Sequence, residues 1–448
     1  MRRRRRGRRL RIGWILLALL LLAGGYVIWR PAIAPEMGAT RGVPFESERV
    51  ERGAQLAAIG NCNICHTREG GIAYAGGRPI PTPFGTVFAS NITPDPDTGI
   101  GSWTTAAFTR AMREGVSRDG RHLYPAFPYD HMTRMRQIDI DAVYAFLMTR
   151  RPAVATPPDN DLPFPFNLRP LVAFWKLLFL DKGAAQEDAR RGPEWNRGAY
   201  LVEGLGHCGA CHTPRNALGA EDSRRAYAGG ETEGWTAPAL NADSPAAVPW
   251  DAERLYRYLR HGYDDRHGMA AGPMAPVVRN LAAVPDAEVR AMSVYVAAMA
   301  GAPNAARTQA ASQALARVNG DGTVRRAPDT SAGGTIYAGA CAQCHGEAGR
   351  APSSPALHLA LSSALRTPRP DNIVRLIRDG VHSPDLGGEP LMPGFANVLS
   401  DAQVVALAAY LRTAFTEQPA WSDIGKSVQR ARESDADKLR AQQKASLP

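Results

Sequence analysis

Cys62-Asn63-Ile64-Cys65-His66, Cys208-Gly209-Ala210-Cys211-His212 and Cys341-Ala342-Gln343-Cys344-His345 together hold all six cysteines of this 448-residue chain. Chance would supply roughly 0.002 copies of Cys-x-x-Cys-His at this Cys and His content, so three copies with no cysteine left over need a chemical cause. Zinc would want four ligands from paired knuckles at regular spacing, whereas these pairs lie more than a hundred residues apart. A disulfide across a two-residue gap would staple nothing. Two thiols on one helical turn do reach the two vinyl groups of one haem, and the next residue, His, then lies under the iron. The spacing therefore predicts three covalently bound haem c groups, attached at Cys62 and Cys65, Cys208 and Cys211, and Cys341 and Cys344. Their proximal metal ligands would be His66, His212 and His345.

The formal charge of +10 suggests a nucleic-acid binder until it is located. Eight arginines occupy positions 2–6, 8, 9 and 11; of 53 basic residues the other 45 face 43 acidic ones. Haem propionates would make the remainder slightly acidic, so no nucleic-acid partner is expected and the basic end reads as a targeting feature. Behind it runs Ile12–Trp29, IGWILLALLLLAGGYVIW. Eighteen helical residues span roughly 27 Å, close to the hydrocarbon thickness of a bilayer. The arginine flank predicts residues 1–11 in the cytoplasm, a transmembrane anchor over 12–29 and export of all that follows, to the periplasm of a Gram-negative cell. A cleaved signal peptide is the competing reading, but Pro35 after Ala32-Ile33-Ala34 disfavours cleavage there.

Around each motif the same order of patterns recurs. A short helix with small residues precedes the cysteines: Arg52-Gly53-Ala54-Gln55-Leu56, Arg197-Gly198-Ala199-Tyr200-Leu201 and, more loosely, Gly334-Thr335-Ile336-Tyr337. An amphipathic helix with an aromatic closes each repeat: Asp139–Met148 with Tyr144, Asp286–Met299 with Tyr295, Asp401–Ala414 with Tyr410. Small residues in one helix and an aromatic in the other predict a close crossing. The expected architecture is mainly α: three tandem cytochrome c domains at 45–152, 191–303 and 329–417 after the anchor. Residues 304–328 read as a plain linker and 418–448 as a polar tail. The connector 153–190 is aromatic, with Leu162-Pro163-Phe164-Pro165-Phe166-Asn167 and Leu171–Leu180. Ten residues are too few to cross a bilayer; the run packs on the haem domains, lies in the membrane interface or docks a partner.

An electron-transfer haem c usually takes a second axial ligand, often a Met thioether. Met392, in Leu391-Met392-Pro393-Gly394-Phe395, and Met274, in Gly272-Pro273-Met274-Ala275-Pro276, sit on Pro/Gly loops before the closing helices. Met269 is the fallback in the second repeat. The first repeat breaks the pattern. Met274 lies 62 residues after His212, and the same count from His66 reaches Pro128, beside Phe127 in Leu123-Tyr124-Pro125-Ala126-Phe127-Pro128-Tyr129-Asp130-His131-Met132. Its distal metal ligand falls to His131, Met132 or Met135, or the iron stays open.

Further stretches give the chain a family likeness: Ser90-Asn91-Ile92-Thr93-Pro94-Asp95, Thr98-Gly99-Ile100-Gly101-Ser102-Trp103, Gly120-Arg121-His122-Leu123-Tyr124-Pro125-Ala126 and Cys211-His212-Thr213-Pro214-Arg215-Asn216. With the Met274 and Met392 loops they resemble the three-haem cytochrome c subunits of bacterial membrane-bound dehydrogenases for alcohols, aldehydes, sugar acids or N-heterocycles. The likeness covers about residues 45–417. It implies an electron-transfer subunit with no substrate site, taking electrons from a periplasmic dehydrogenase catalytic subunit and passing them to ubiquinone or a terminal oxidase. Phe127 and the Leu162–Leu180 connector look closer to the branch serving molybdenum-dependent aldehyde or N-heterocycle oxidation. An open first iron would instead suit a peroxidase-like haem enzyme; no hydrolase triad, phosphate loop or nucleotide fingerprint competes.

Overall fold

A computed structural model describes residues 2–36, 45–319, 329–346, 352, 354, 357–382 and 390–446. Contacts divide the chain into two compact units, Met1–Ala54 with Cys65–Ala185, and Gln55–Ile64 with Gln186–Pro448. The protein is mainly helical, and its strands are short antiparallel two-stranded hairpins.

The first unit begins with α1, Arg2–Ile28. Among the described residues no helix is long and apolar enough to cross a membrane. For the anchor expected over 12–29, the described apolar side chains run Ile12–Leu19 and Leu21–Ile28, with the Leu20 side chain outside the described set. The first repeat follows, with its residues 55–64 counted in the second unit: α2 (Ser47–Ile59), α3 (Cys62–Cys65), the hairpin β1–β2 (Pro79–Thr82, Gly85–Phe88), α4 (Thr105–Glu114), α5 (Tyr129–Met132) and α6 (Gln137–Met148). The Thr104 side chain accepts from the Ala107 amide to start α4, and Gly115 at φ 58° ends it in the left-handed region that glycine adopts freely. The connector carries α7 (Leu171–Phe179).

In the second unit the pattern returns as α8 (Pro193–Tyr200), α9 (Gly209–His212), β3–β4 (Gly230–Thr232, Trp235–Ala237), α10 (Ala252–His261), β5–β6 (Tyr263–Asp264, Gly268–Met269), α11 (Met274–Leu281) and α12 (Asp286–Ala300). Gly262, at φ 80°, ends α10 as Gly115 ends α4. The segment read as a linker holds α13 (Ala305–Asn319), whose Ala314 is buried with Val248 and Leu361. The third repeat comprises α14 (Ala332–Ala340), α15 (Ala342–His345), α16 (Asp371–Asp379), β7–β8 (Val381–His382, Pro390–Met392) and α17 (Asp401–Phe415), the last started by a Ser400/Gln403 capping box. The segment read as a tail holds α18 (Ile424–Ser446). Its Ile424, Val428 and Ala431 are buried with Ile373, Val374 and Leu411.

The expected helix crossing occurs in all three repeats. A β-carbon at Gly53 would lie 2.0 Å from the Ala142 carbonyl oxygen, at Gly198 2.0 Å from that of Ala291, and at Gly333 2.3 Å from that of Ala406. Backbones this close tolerate no side chain. Aromatics stand beside each glycine: Phe146, Tyr295 and Tyr410. In the first repeat the neighbour is therefore Phe146 rather than Tyr144, and in the third the crossing glycine is Gly333 rather than Gly334. The first two crossings are also tied by ion pairs, Arg52 to Asp139 at 3.2 Å and Arg197 to Glu288 at 2.7 Å through both Nε and Nη2.

Candidate haem sites

Each Cys-x-x-Cys-His ends a single helical turn, and each histidine is fixed by a bond the sequence did not announce. Nδ1 of His66 meets the Ser90 carbonyl at 2.6 Å, that of His212 the Pro238 carbonyl at 2.7 Å, and that of His345 the Leu357 carbonyl at 2.9 Å. Facing a carbonyl, Nδ1 carries the proton and donates it, which leaves Nε2 with its lone pair; the tautomer follows from the partner. A metal-ligating imidazole needs this arrangement. Burial lowers the pKa of His66 and His212, against the raising effect of those same bonds, so both rings are held neutral. In the first two repeats the accepting carbonyl lies just beyond the hairpins β1–β2 and β3–β4.

Burial pushes the Cys208 thiol up to about 12 and the Cys341 thiol up to about 11, and raises Cys211 as well. These sulfurs are disfavoured as thiolates; a thioether has no proton to lose and suits the same surroundings. Cys62 and Cys65 are half-buried, and Cys344 is exposed.

One cavity of about 400 Å³ in the second unit is lined by Cys208, Cys211, His212 and Met274 from the second repeat and by Cys341, His345 and Met392 from the third. Leu255, Leu259, Leu281, Ile373, Leu407 and Leu411 supply apolar wall. Paired sulfurs, an imidazole with a free Nε2 and a thioether, converging on an apolar cavity, fit a covalently attached haem. Met269 also lines the cavity, on β6. His267 lines it too, but Nδ1 bonds Asp264 at 2.7 Å, Nε2 bonds the Val248 carbonyl at 3.0 Å, and the ring stacks on Trp250 at 3.4 Å. With both nitrogens committed, it is a structural residue. Although burial pushes the Asp264 carboxyl up, hydrogen bonds from His267 and Arg266 hold it below the usual range.

Spacing from the glycine that ends α4, α10 and α16 aligns the distal positions. Met274 follows Gly262 by twelve residues, Met392 follows Gly380 by twelve, and Phe127 follows Gly115 by twelve. Met274 opens α11 and Met392 ends β8. Residues 383–389 of that loop lie outside the described residues. In the first repeat His131 and Met132 are buried on α5, and Met135 is fully buried just beyond it.

Mainly helical repeats, each with a haem-attachment turn and a carbonyl-fixed histidine, define a multi-domain c-type cytochrome. Residues 50–151 match the family Cytochrome c, and residues 328–411 match the family Cytochrome C oxidase, cbb3-type, subunit III. The chain is 33% identical to the fructose dehydrogenase cytochrome subunit of Gluconobacter japonicus, over 89% of this chain and 84% of that one. It is 36% identical to the gluconate 2-dehydrogenase cytochrome c subunit of Pantoea cypripedii, over 81% and 85%. Identity reaches 46% with a nicotinate dehydrogenase subunit of Pseudomonas putida over 90% of this chain, which spans only 33% of that protein's length. The chain belongs to the family of multi-haem cytochrome c subunits of bacterial dehydrogenases.

Proposed function

We propose that the chain is a three-haem electron-transfer subunit, in three cytochrome c domains, that takes electrons from a periplasmic dehydrogenase catalytic subunit and delivers them to ubiquinone or a terminal oxidase. The haems, when bound, supply one-electron carriage. The chain supplies everything else. Cys62 and Cys65, Cys208 and Cys211, and Cys341 and Cys344 hold them; His66, His212 and His345 are the proximal ligands. Met274 and Met392 are the distal ligands of the second and third, and His131 or Met132 that of the first. The threefold recurrence of the histidine–carbonyl bond is the observation that carries this reading. The 46% identity to a nicotinate dehydrogenase subunit favours a partner that oxidises an N-heterocycle.

We further propose that Ile12–Trp29 is an uncleaved anchor in the inner membrane, with the haem domains in the periplasm. Described side chains point out to solvent all around this helix: Trp14, Leu16, Leu19, Leu21, Leu22 and Tyr26 are all exposed. A helix that is apolar on every face wants lipid or protein about it.

The test is haem content and reduction of the purified full chain. Three haem c per chain are expected, two in a Cys208→Ala/Cys211→Ala variant, with rapid reduction by the co-expressed catalytic subunit. Fewer than three in the intact chain would sink the assignment. Phe127 at a methionine position favours one other reading, a peroxidase-like enzyme with an open first iron. Prompt cyanide binding at one haem in three would establish that reading over the first.

A further inference from the structure

α7 is held in place with an apolar face turned outward. Val172, Ala173 and Lys176 are buried on one side, while Leu171, Phe174, Leu177 and Leu178 are exposed on the other, Leu178 to 68%. The preceding loop adds exposed Phe164, Phe166 and Leu168. Orientation is fixed by the buried Lys176, whose Nζ donates to the carbonyls of Glu114 and Gly115 and to Nδ1 of His122. His122 in turn donates from Nε2 to the Ile28 carbonyl at 2.9 Å, at the end of α1, and Phe174 of α7 lies against Gly24 of α1. The apolar surface of α7 is thus continuous with that of α1.

Cations gather where α1 ends. Arg110 donates to the Pro31 carbonyl and Arg118 to that of Ile33; Arg169 donates to the carbonyl of His122; Arg30, Arg121 and Lys182 act on the same cluster. Opposing them are Asp119 and Glu114. An apolar helix face beside a basic collar, both continuous with an apolar helix, has the makings of an in-plane membrane contact: the face enters the acyl boundary and the collar meets anionic headgroups.

We infer that α7 and the Phe164–Leu168 loop lie in the headgroup–acyl interface of a bilayer containing anionic phospholipid, as a second membrane contact beside α1. This rests on the proposed anchor, so the experiment separates the two. The full haem-loaded chain, without any other subunit, is reconstituted into phosphatidylglycerol-containing nanodiscs. It carries photoreactive benzoylphenylalanine at Leu178, at Leu22 on α1, or at Leu218, which is 54% exposed in the other unit. Peptide masses after irradiation report lipid adducts, and unchanged haem content reports folding. Lipid adducts at Leu178 and Leu22 but not Leu218 are expected. Adducts at Leu22 alone would overturn the inference, leave the anchor standing and hand the face to a protein partner. Adducts at neither would overturn both.

Discussion

Lys176 sits in a pocket that opposes its charge: burial, helped by Lys182 and Arg30, lowers its amine from 10.5 to about 7. In the unfolded chain the amine binds its proton below about 10.4, in the folded one only below about 7. Between those values the unfolded state holds the extra proton, so stability falls as pH is lowered through the window. Over the whole window this amounts to on the order of 5 kcal/mol. A Lys176→Met variant should lose that slope, seen as a thermal transition that no longer drops between about pH 9.5 and pH 7.5; an unchanged slope would mean that the amine stays charged where it lies. Phe127 supports a second prediction at this scale. It stands where Met274 and Met392 stand, twelve residues past the helix-ending glycine. Where His131 is the native ligand, Phe127→Met should therefore add a third methionine–iron charge-transfer band to the oxidised spectrum and raise one haem's midpoint; where Met132 is, the band count stays at three. Met274→Leu should remove one band and lower one midpoint. His131→Ala and Met132→Ala compared by the same spectrum identify the ligand in use. The departure at Phe127 was legible because it breaks a position that Met274 and Met392 repeat. The carbonyls of Ser90, Pro238 and Leu357 were not, because a backbone acceptor leaves no residue-type signal.

Helix crossings were half legible. The glycines before each motif and the aromatics after it predicted contact, but which residue touches depends on helical phase. Residues 144 and 146 differ by two positions, about 200° around a helix, so Tyr144 and Phe146 face different ways. Phe146 meets Gly53, while Tyr144 packs on Phe108 and donates its hydroxyl to the Trp103 carbonyl at 2.8 Å. In the third repeat the slip is one residue: a β-carbon at Gly334 would meet Asp329, not the closing helix. The consequence can be measured at Gly198. Gly198→Ala puts a methyl 2.0 Å from the Ala291 oxygen and 2.8 Å from Tyr295 Cβ, so α8 and α12 must part. Overpacking of this kind costs about 1–3 kcal/mol, against a helix propensity gain of about 1. A lowered thermal transition is expected for Gly198→Ala, while Gly425→Ala on α18, which meets nothing within 4 Å, serves as the control. Equal stability of the two variants would contradict the crossing. The segments read as linker and tail show the limit of composition. α13 and α18 look polar in sequence, yet Ala314, Leu315 and Val318 on the one and Ile424, Val428 and Ala431 on the other are enough to dock them. Arg375, 2% exposed, and Arg378 bond Asp435 across that docking.

At the scale of the molecule, the second and third haem motifs lie in one compact unit and face one cavity. Periodicity reports what each segment buries and is silent about whether two repeats bury it together. This sharing decides how loss of one cofactor spreads. Walls of the cavity come from α10, α11 and α12 of the second repeat and from α16 and α17 of the third. Cys208→Ala/Cys211→Ala removes the covalent hold on the second haem, and space the surroundings cannot close is charged at about 24 cal/mol per Å³. Half of the roughly 400 Å³ then amounts to on the order of 5 kcal/mol, comparable with the whole stability of a small domain. Because the third repeat lines the same space, its unfolding should shift together with that of the second. The first repeat's motif histidine and its carbonyl partner, His66 and Ser90, belong to the other unit and should not respond. Calorimetry of the full-length variant, with the haem absorbance followed in parallel, should show one transition lowered by many degrees and carrying the third haem with it, beside a second transition at its original temperature. Independent melting of the third haem at the wild-type temperature would show that the two repeats do not depend on a common interior.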